Sequence, residues 1–388
     1  MPSELRVDNI NSTTSPYDPV FSTTGGALSH RNMIINGAMN IAQRGTSLTD
    51  VNGTSGYFNV DRWKHWESTA GQYQTSVYSM STADQNTTGH AKALKLNVKN
   101  NNAVSSLGAG EYAFAGTLLE GQDLQHLRYG TTNAETITVS FCVKSSKTGT
   151  YVLSVNKADS TPTRIAMEYT ISSANTWEKK TITITPTEGS TSLITASAGA
   201  IANDNGIGFE IIWILAVGST YSGATANTWT TNQNHIGTSN QVNWMDSDSN
   251  DFYLTGVQLE LGSVATPFEH RSYADELFNC QRYYQFSQYN STRAAYTNGG
   301  SQQIFQTDIS RPFRAAPTVT YSNSTISHSS GHGDAFASGT ISALSSTYYP
   351  PYDAGLVVAV TYTSGHGYTD NHPSFVTTGG IFKLDAEL

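Results

Sequence analysis

The chain has 388 residues and a formal net charge of −9, with 13% of its side chains charged, against about 25% in a typical soluble protein. Serine and threonine together number 95, so the surface is made polar by hydroxyls rather than ions, and threonine and tyrosine suit a pleated sheet. The acidic balance excludes a nucleic-acid binder that works through a basic face. MPSELRVDNI lacks the basic-then-apolar pattern of a secretory leader. The most apolar run, Ile207–Val217, is about half the roughly 20 residues that cross a bilayer, so no membrane insertion is expected.

Residues 1–50 are polar and carry two early prolines, Pro16 and Pro19. They hold too few apolar side chains to fold alone and are expected to dock, as an extended N-terminal anchor, against another chain. Over 51–271 the dominant signal is period-2 alternation. Ile137, Val139, Phe141 and Val143 share one face; Tyr151, Leu153 and Val155 share another, as do Ile165, Met167, Tyr169 and Ile171. Phe209, Ile211, Trp213, Leu215 and Val217 form one face of a more buried strand. Turn-rich stretches such as KSSKTGT and TPTEGST separate these runs, which predicts an antiparallel sandwich. Ile137, Val139, Phe141, Phe209, Ile211 and Trp213 should point into its core.

Helical signal is scarce. Over 272–285, Ser272 is placed to cap, Asp275 and Glu276 fall in the first turn, and Leu277, Cys280 and Tyr284 share a face. A shorter amphipathic stretch, 118–129, reads as a helix or an irregular loop. Residues 272–388 then form a linker helix and a smaller C-terminal β-sandwich, with Gly/Ser/His-rich loops expected over 322–346 and 363–374. Cys142 and Cys280 form neither a disulfide framework nor a zinc pattern and read as buried thiols.

Sugar recognition needs an aromatic face for pyranose C–H groups, and amides or carboxylates for hydroxyls. Trp63, Trp66, Tyr73, Trp229 and Trp244 stand among polar neighbours, and Asn232 and His235 lie between the last two tryptophans. In the C-terminal loops, His332, Tyr349, Tyr352 and His366 are candidates, since recognition usually sits on loops. The alternative is that the tryptophans plug the sandwich ends or a subunit interface. Asp246, Asp248, Asn250 and Asp251 crowd oxygens as a calcium loop does, without the Gly and distal Glu of an EF-hand; the alternative is an ordinary acidic turn. No GxSxG, HExxH or phosphate-binding glycine loop occurs, and the few carboxylates are dispersed, so neither an enzyme nor a cofactor is expected.

Three stretches carry a resemblance. They are HRNMIINGAMNIAQRGT (30–46) with Val60-Asp61-Arg62-Trp63, DFYLTGVQLELGSVATPFEHR (251–271), and ELFNCQRYY (276–284) with the terminal KLDAEL. In this order the chain resembles fibre and spike components of tailed-bacteriophage virions. The resemblance implies an all-β chain with a carbohydrate-binding-module-like jelly roll over 51–271. It also implies a homotrimer, attachment to other virion proteins through residues 1–50, and a receptor-facing part at 272–388 that adheres to host-surface polysaccharide. It carries no binding residue onto this sequence. A purely structural capsid or tail decoration and a glycan depolymerase are the alternatives.

Overall fold

The computed structural model describes residues 30–51, 53–288, 294–298, 302–307, 311–321, 325–330, 337–348, 356–362, 374–376 and 381–388. Two six-stranded sheets face each other. The first runs β1 (Thr49–Asp50), β4 (Tyr73–Ser79), β5 (Lys92–Val98), β12 (Asp251–Leu261), β7 (Ile137–Ser145) and β10 (Glu178–Ile184). The second runs β2 (Gly56–Tyr57), β3 (Lys64–Ser68), β6 (Tyr112–Glu120), β11 (Ile207–Val217), β8 (Gly149–Lys157) and β9 (Thr163–Ile171). From β5 to β8 the chain changes sheet at every connection, and again from β9 to β12, which is a jelly-roll winding.

The alternation expected from the sequence sets the core. Ile137, Val139, Phe141, Phe209, Ile211 and Trp213 are fully buried between the sheets. Trp213 meets Phe141 edge-on at 5.4 Å between centroids and Trp63 at the same distance. One helix was not anticipated. Thr82–Thr88 (α1) is capped by the Ser81 hydroxyl, which accepts from the Asp84 amide, and Gly89 ends it in the left-handed region. The S-x-x-D and glycine signals were both present in the sequence.

Residues 30–51 do not stand apart from the sandwich. Ile34, Met39, Ile41 and Val51 are buried, and the Met33 and Val257 amides donate to Leu259 and Gly37 carbonyls. A Cβ at Gly37 would lie 2.1 Å from the Val257 oxygen, so only glycine lets this segment lie on β12. The sandwich therefore begins before residue 51, because a few well-spaced apolar side chains suffice for a segment that borrows an existing core. The rest of the expected anchor, 1–29, lies outside the described residues.

Ser272 does cap the linker helix, α2 (Tyr273–Gln281), its hydroxyl accepting from the Asp275 amide. The 118–129 stretch finishes β6 and then makes a 3-10 turn, Gly121–Leu127. Beyond α2, strand β13 (Tyr284–Gln288) pairs with the returning Ile381–Asp385, which also pairs with Thr318–Tyr321. The remaining strands roll into a closed six-stranded barrel rather than a second pair of facing sheets. Closure follows from the 12-residue strand Ala337–Tyr348, whose bulge between Ile341 and Ala343 lets it pair with Leu356–Tyr362 on one side and Thr325–Ser330 on the other. Most of the stretch expected as loop over 322–346 is thus strand. Its serine-rich composition hid the alternation.

The motif stretches converge on one joint between jelly roll and C-terminal region. Arg62 is 1% exposed. Its guanidinium pairs with Glu387, donates to the Leu118 carbonyl at 2.5 Å and lies 3.4 Å over the Tyr283 ring. Arg44 lies 3.7 Å over Tyr284 and pairs with Asp385 at 3.0 Å and Glu387 at 3.3 Å. Glu120 accepts from Arg282 twice at 2.8 Å and from the Tyr283 hydroxyl at 2.6 Å. Glu276 accepts from the Asn36 amide at 2.5 Å. These residues hold the two regions together. Cys142 and Cys280 are both buried free thiols.

Candidate functional site

The outward face of the second sheet is built by the same alternation that fills the core. Strand registers place Trp66 opposite Phe114, Phe114 opposite Ile214, Ile214 opposite Val152 and Val152 opposite Glu168. One row further along, Lys64, Gly116, Ile212, Ser154 and Ala166 stand side by side. A third row holds Leu118, Glu210, Asn156 and Arg164. The face is therefore graded, apolar and aromatic at one end and polar at the other.

At the aromatic end, Trp66 and Phe114 lie 5.3 Å apart, Phe114 and Tyr112 5.0 Å, and Tyr112 and Tyr221 5.5 Å. Phe114 is buried beneath half-buried Trp66, Tyr112 and Tyr221, so the outer rings are supported from below. The segment 218–242 closes over the far side of the sheet. Thr230 exchanges two backbone bonds of 2.8 Å with Arg164, and Ile236 packs with Ile212, Ile214 and Val152. Thr238 and Asn240 donate to Glu168. Between the covering segment and β3 the ribbon of rings stays open. A Cβ at Gly116 would lie 2.2 Å from the Ile211 oxygen, so only glycine lets β6 lie this close to β11 there.

At the polar end, Glu210 accepts from Asn156 at 2.8 Å and from Arg164 at 3.5 Å. Asn156 and Arg164 are about nine-tenths buried or more, yet the Asn156 Oδ1 and Arg164 Nε have no hydrogen-bond partner. A buried polar atom without a partner costs about 1–3 kcal/mol, so this corner of the sheet carries a local energetic cost; the half-buried Glu210 carboxylate is the acceptor open to solvent there. Burial lowers the Lys64 pKa, and its ammonium lies 5.2 Å from the Trp66 ring centre. Stacking rings at one end of the face and a carboxylate at the other can hold an extended polar molecule with apolar faces.

Of the residues singled out from sequence, Trp66 alone of the tryptophans lies on this face. Trp63, Tyr73, Trp229 and Trp244 are buried in the core, which corrects their reading as exposed platforms. Trp229 donates to the Thr185 carbonyl at 2.9 Å, closing one end of the sandwich. Asn232 and His235 stand on the covering segment, exposed and half-buried respectively; the Asn232 side chain accepts from the Asn234 amide. His332, Tyr349, Tyr352 and His366 lie outside the described residues.

The oxygen-rich run does not converge on a cation. Asp246 pairs with Lys147 at 2.5 Å and accepts from Asn250 at 2.9 Å. Asp248 accepts three backbone amides, of Asn101, Asn102 and Ala103. Asp251 pairs with Lys95 at 3.4 Å. Each carboxylate is spent on a different donor, and among the described residues no group of three metal-binding side chains occurs. These residues act as loop fasteners. Tyr112 and Phe114 were missed because YAFAG reads as apolar on both faces, with small residues inward and rings outward, and Tyr221 because it stands alone in a Ser/Gly/Thr-rich connection.

No family model matches the chain, and no curated protein matches it. Among solved structures, it overlaps a protein from Bacteroides thetaiotaomicron VPI-5482 assigned as sugar-binding, with 12% identity and a TM-score of 0.32, over 60% of this chain and 100% of that one. It overlaps the family 11 carbohydrate-binding module of Clostridium thermocellum, solved with a β-1,3-1,4-mixed-linked tetrasaccharide, at 11% identity and a TM-score of 0.26, over 57% and 99%. The enzymatically active domain of tailspike protein 4 of bacteriophage CBA120 overlaps at 11% identity and a TM-score of 0.27, over 59% of this chain and 21% of that one. At such scores these overlaps carry no argument about what this chain binds.

Proposed function

We propose that the protein is a non-catalytic fibre or spike component of a virion that adheres to host-surface glycan through the outer face of its second sheet. The observation that carries the reading is the partly exposed ribbon of Trp66, Tyr112 and Tyr221 on the outer face, whose opposite end carries the polar group of Glu210, Asn156 and Arg164. Rings of this kind stack on sugar C–H faces, and the partly exposed Glu210 carboxylate can accept from hydroxyls further along the face. On a glycan array, Trp66→Ala should weaken the best-bound glycan about tenfold or more, the scale of an interfacial hot spot, with the melting temperature nearly unchanged. Equal binding by the variant would move the site elsewhere. No binding by the intact protein to any glycan would favour a purely structural decoration.

Virion attachment and homotrimeric assembly rest on the resemblance of the joint motifs. Adhesion would then come from several weak sites multiplied by valency. A chain truncated before residue 30 should still sediment as a folded trimer, because the described core starts after that point, but it should not incorporate into virions. A folded monomer, or normal incorporation, would remove this part of the reading.

A further inference from the structure

Between the 3-10 turn Gly121–Leu127 and the end of α2, the joint leaves a cleft of about 460 Å³ lined by Gln122, Asp123, Asn279, Arg282, Tyr283 and Arg311. Its two guanidiniums are differently committed. Arg282 spends Nε and Nη2 on Glu120. Arg311 donates Nη1 to the Phe278 carbonyl at 2.9 Å and to Asn279 Oδ1 at 3.2 Å, and lies 4.0 Å over the Phe278 ring. Among the described residues it pairs with no carboxylate. Burial and then the neighbouring Arg282 charge lower its pKa. Asp123 opens on the same cleft; the residue is exposed, but its carboxyl is pushed up by partial desolvation among the surrounding residues and by the Glu120 charge.

The cleft thus presents one uncommitted guanidinium edge, Nε with Nη2 of Arg311, with amides beside it. Guanidinium edges match a carboxylate in a two-point contact. The Asn279 amide suits a hydroxyl, and the volume lies within the roughly 300–1,000 Å³ of small-molecule sites. The Gln122 amide already donates to Glu120 and the Asn279 oxygen already accepts from Arg311, but the Asn279 N–H donors remain for a hydroxyl, and a neutral sugar would leave Arg311 without a counter-charge. We infer that this cleft binds the carboxylate of a uronic-acid sugar. The site lies at the joint, away from the aromatic ribbon, and does not depend on the reading of that face.

The test is calorimetric titration of the full chain with sodium glucuronate, glucose and sodium acetate at matched ionic strength. Glucuronate should bind more tightly than either of the others. Arg311→Gln should weaken it about tenfold, the value of one charge-assisted contact. Asp123→Asn should tighten it by removing a like charge, and since Asp123 is exposed this variant keeps the fold. Acetate carries the same charge, so a purely coulombic effect of the two variants would shift acetate as much as glucuronate. No glucuronate binding by the intact chain would overturn the inference, as would acetate or glucose binding equally well, or both variants shifting affinity the same way. Trp66→Ala should leave glucuronate binding unchanged, which separates failure here from failure of the ribbon.

Discussion

Trp213→Ala should destabilise the protein by about 3–5 kcal/mol, the usual cost of emptying a buried aromatic position. Trp213 is 0% exposed, midway along β11, with β6 and β8 on either side and Phe141 and Trp63 against its ring. Its indole N–H has no partner, so no hydrogen bond is lost. The whole cost is transfer and cavity, and strands pinned on both sides cannot collapse into the space. Thr170→Ala, at an exposed position of β9, should stay within about 0.5 kcal/mol. Urea denaturation of both variants checks the pair. A small effect at Trp213 would mean that β11 turns its other face inward, since a slip of one residue exchanges the faces.

Arg62→Met should cost about as much, roughly 3–5 kcal/mol, because removing one partner leaves the other charge buried. Glu387 is that partner, with its side chain 4% exposed. Arg44 lies 3.3 Å from Glu387 and softens the loss without replacing the Tyr283 stack or the bond to Leu118. The double variant Arg62→Met with Glu387→Leu should be more stable than the sum of the single losses implies, since it leaves neither charge alone. Strict additivity in a double-mutant cycle would mean that the pair contributes nothing as a pair. The same joint makes stability pH-dependent through Asp61. Burial raises its pKa to about 6, against 3.8 as a free carboxyl. The folded state therefore holds a proton that the unfolded state has lost, and this contribution is present below about pH 4 and fades as pH rises towards 6.

The jelly roll was legible because its strands alternate, and alternation alone sets the face of Phe141 and Trp213. The sites were less legible for a reason visible in Trp229 and Trp244. Polar neighbours along the chain mark a residue as a loop residue, but not as an exposed one. The 218–250 connection folds back and drives both indoles into the core while its amides stay outside. The reverse error hid Tyr112 and Phe114, whose strand is apolar on both faces and gives no polar contrast. The acidic run misled in a third way. Asp248 answers three amides that lie about 150 residues away in sequence, and local spacing cannot reveal a long-range acceptor. Arg62 and Asp61 were quoted as a motif, yet their buried charge could not be foreseen without Glu387.

The Arg62–Glu387 pair joins residues 325 positions apart. The cost of bringing such distant points together grows only slowly with separation, but the wait for the second point to exist does not. During synthesis the jelly roll reaches completion at β12 while Arg62 still lacks its counter-charge, and any chain that stops before Glu387 keeps that defect permanently. A chain without Glu387 would thus hold an unpaired cation at the joint, and this seam would be the first part of the fold to open to a protease.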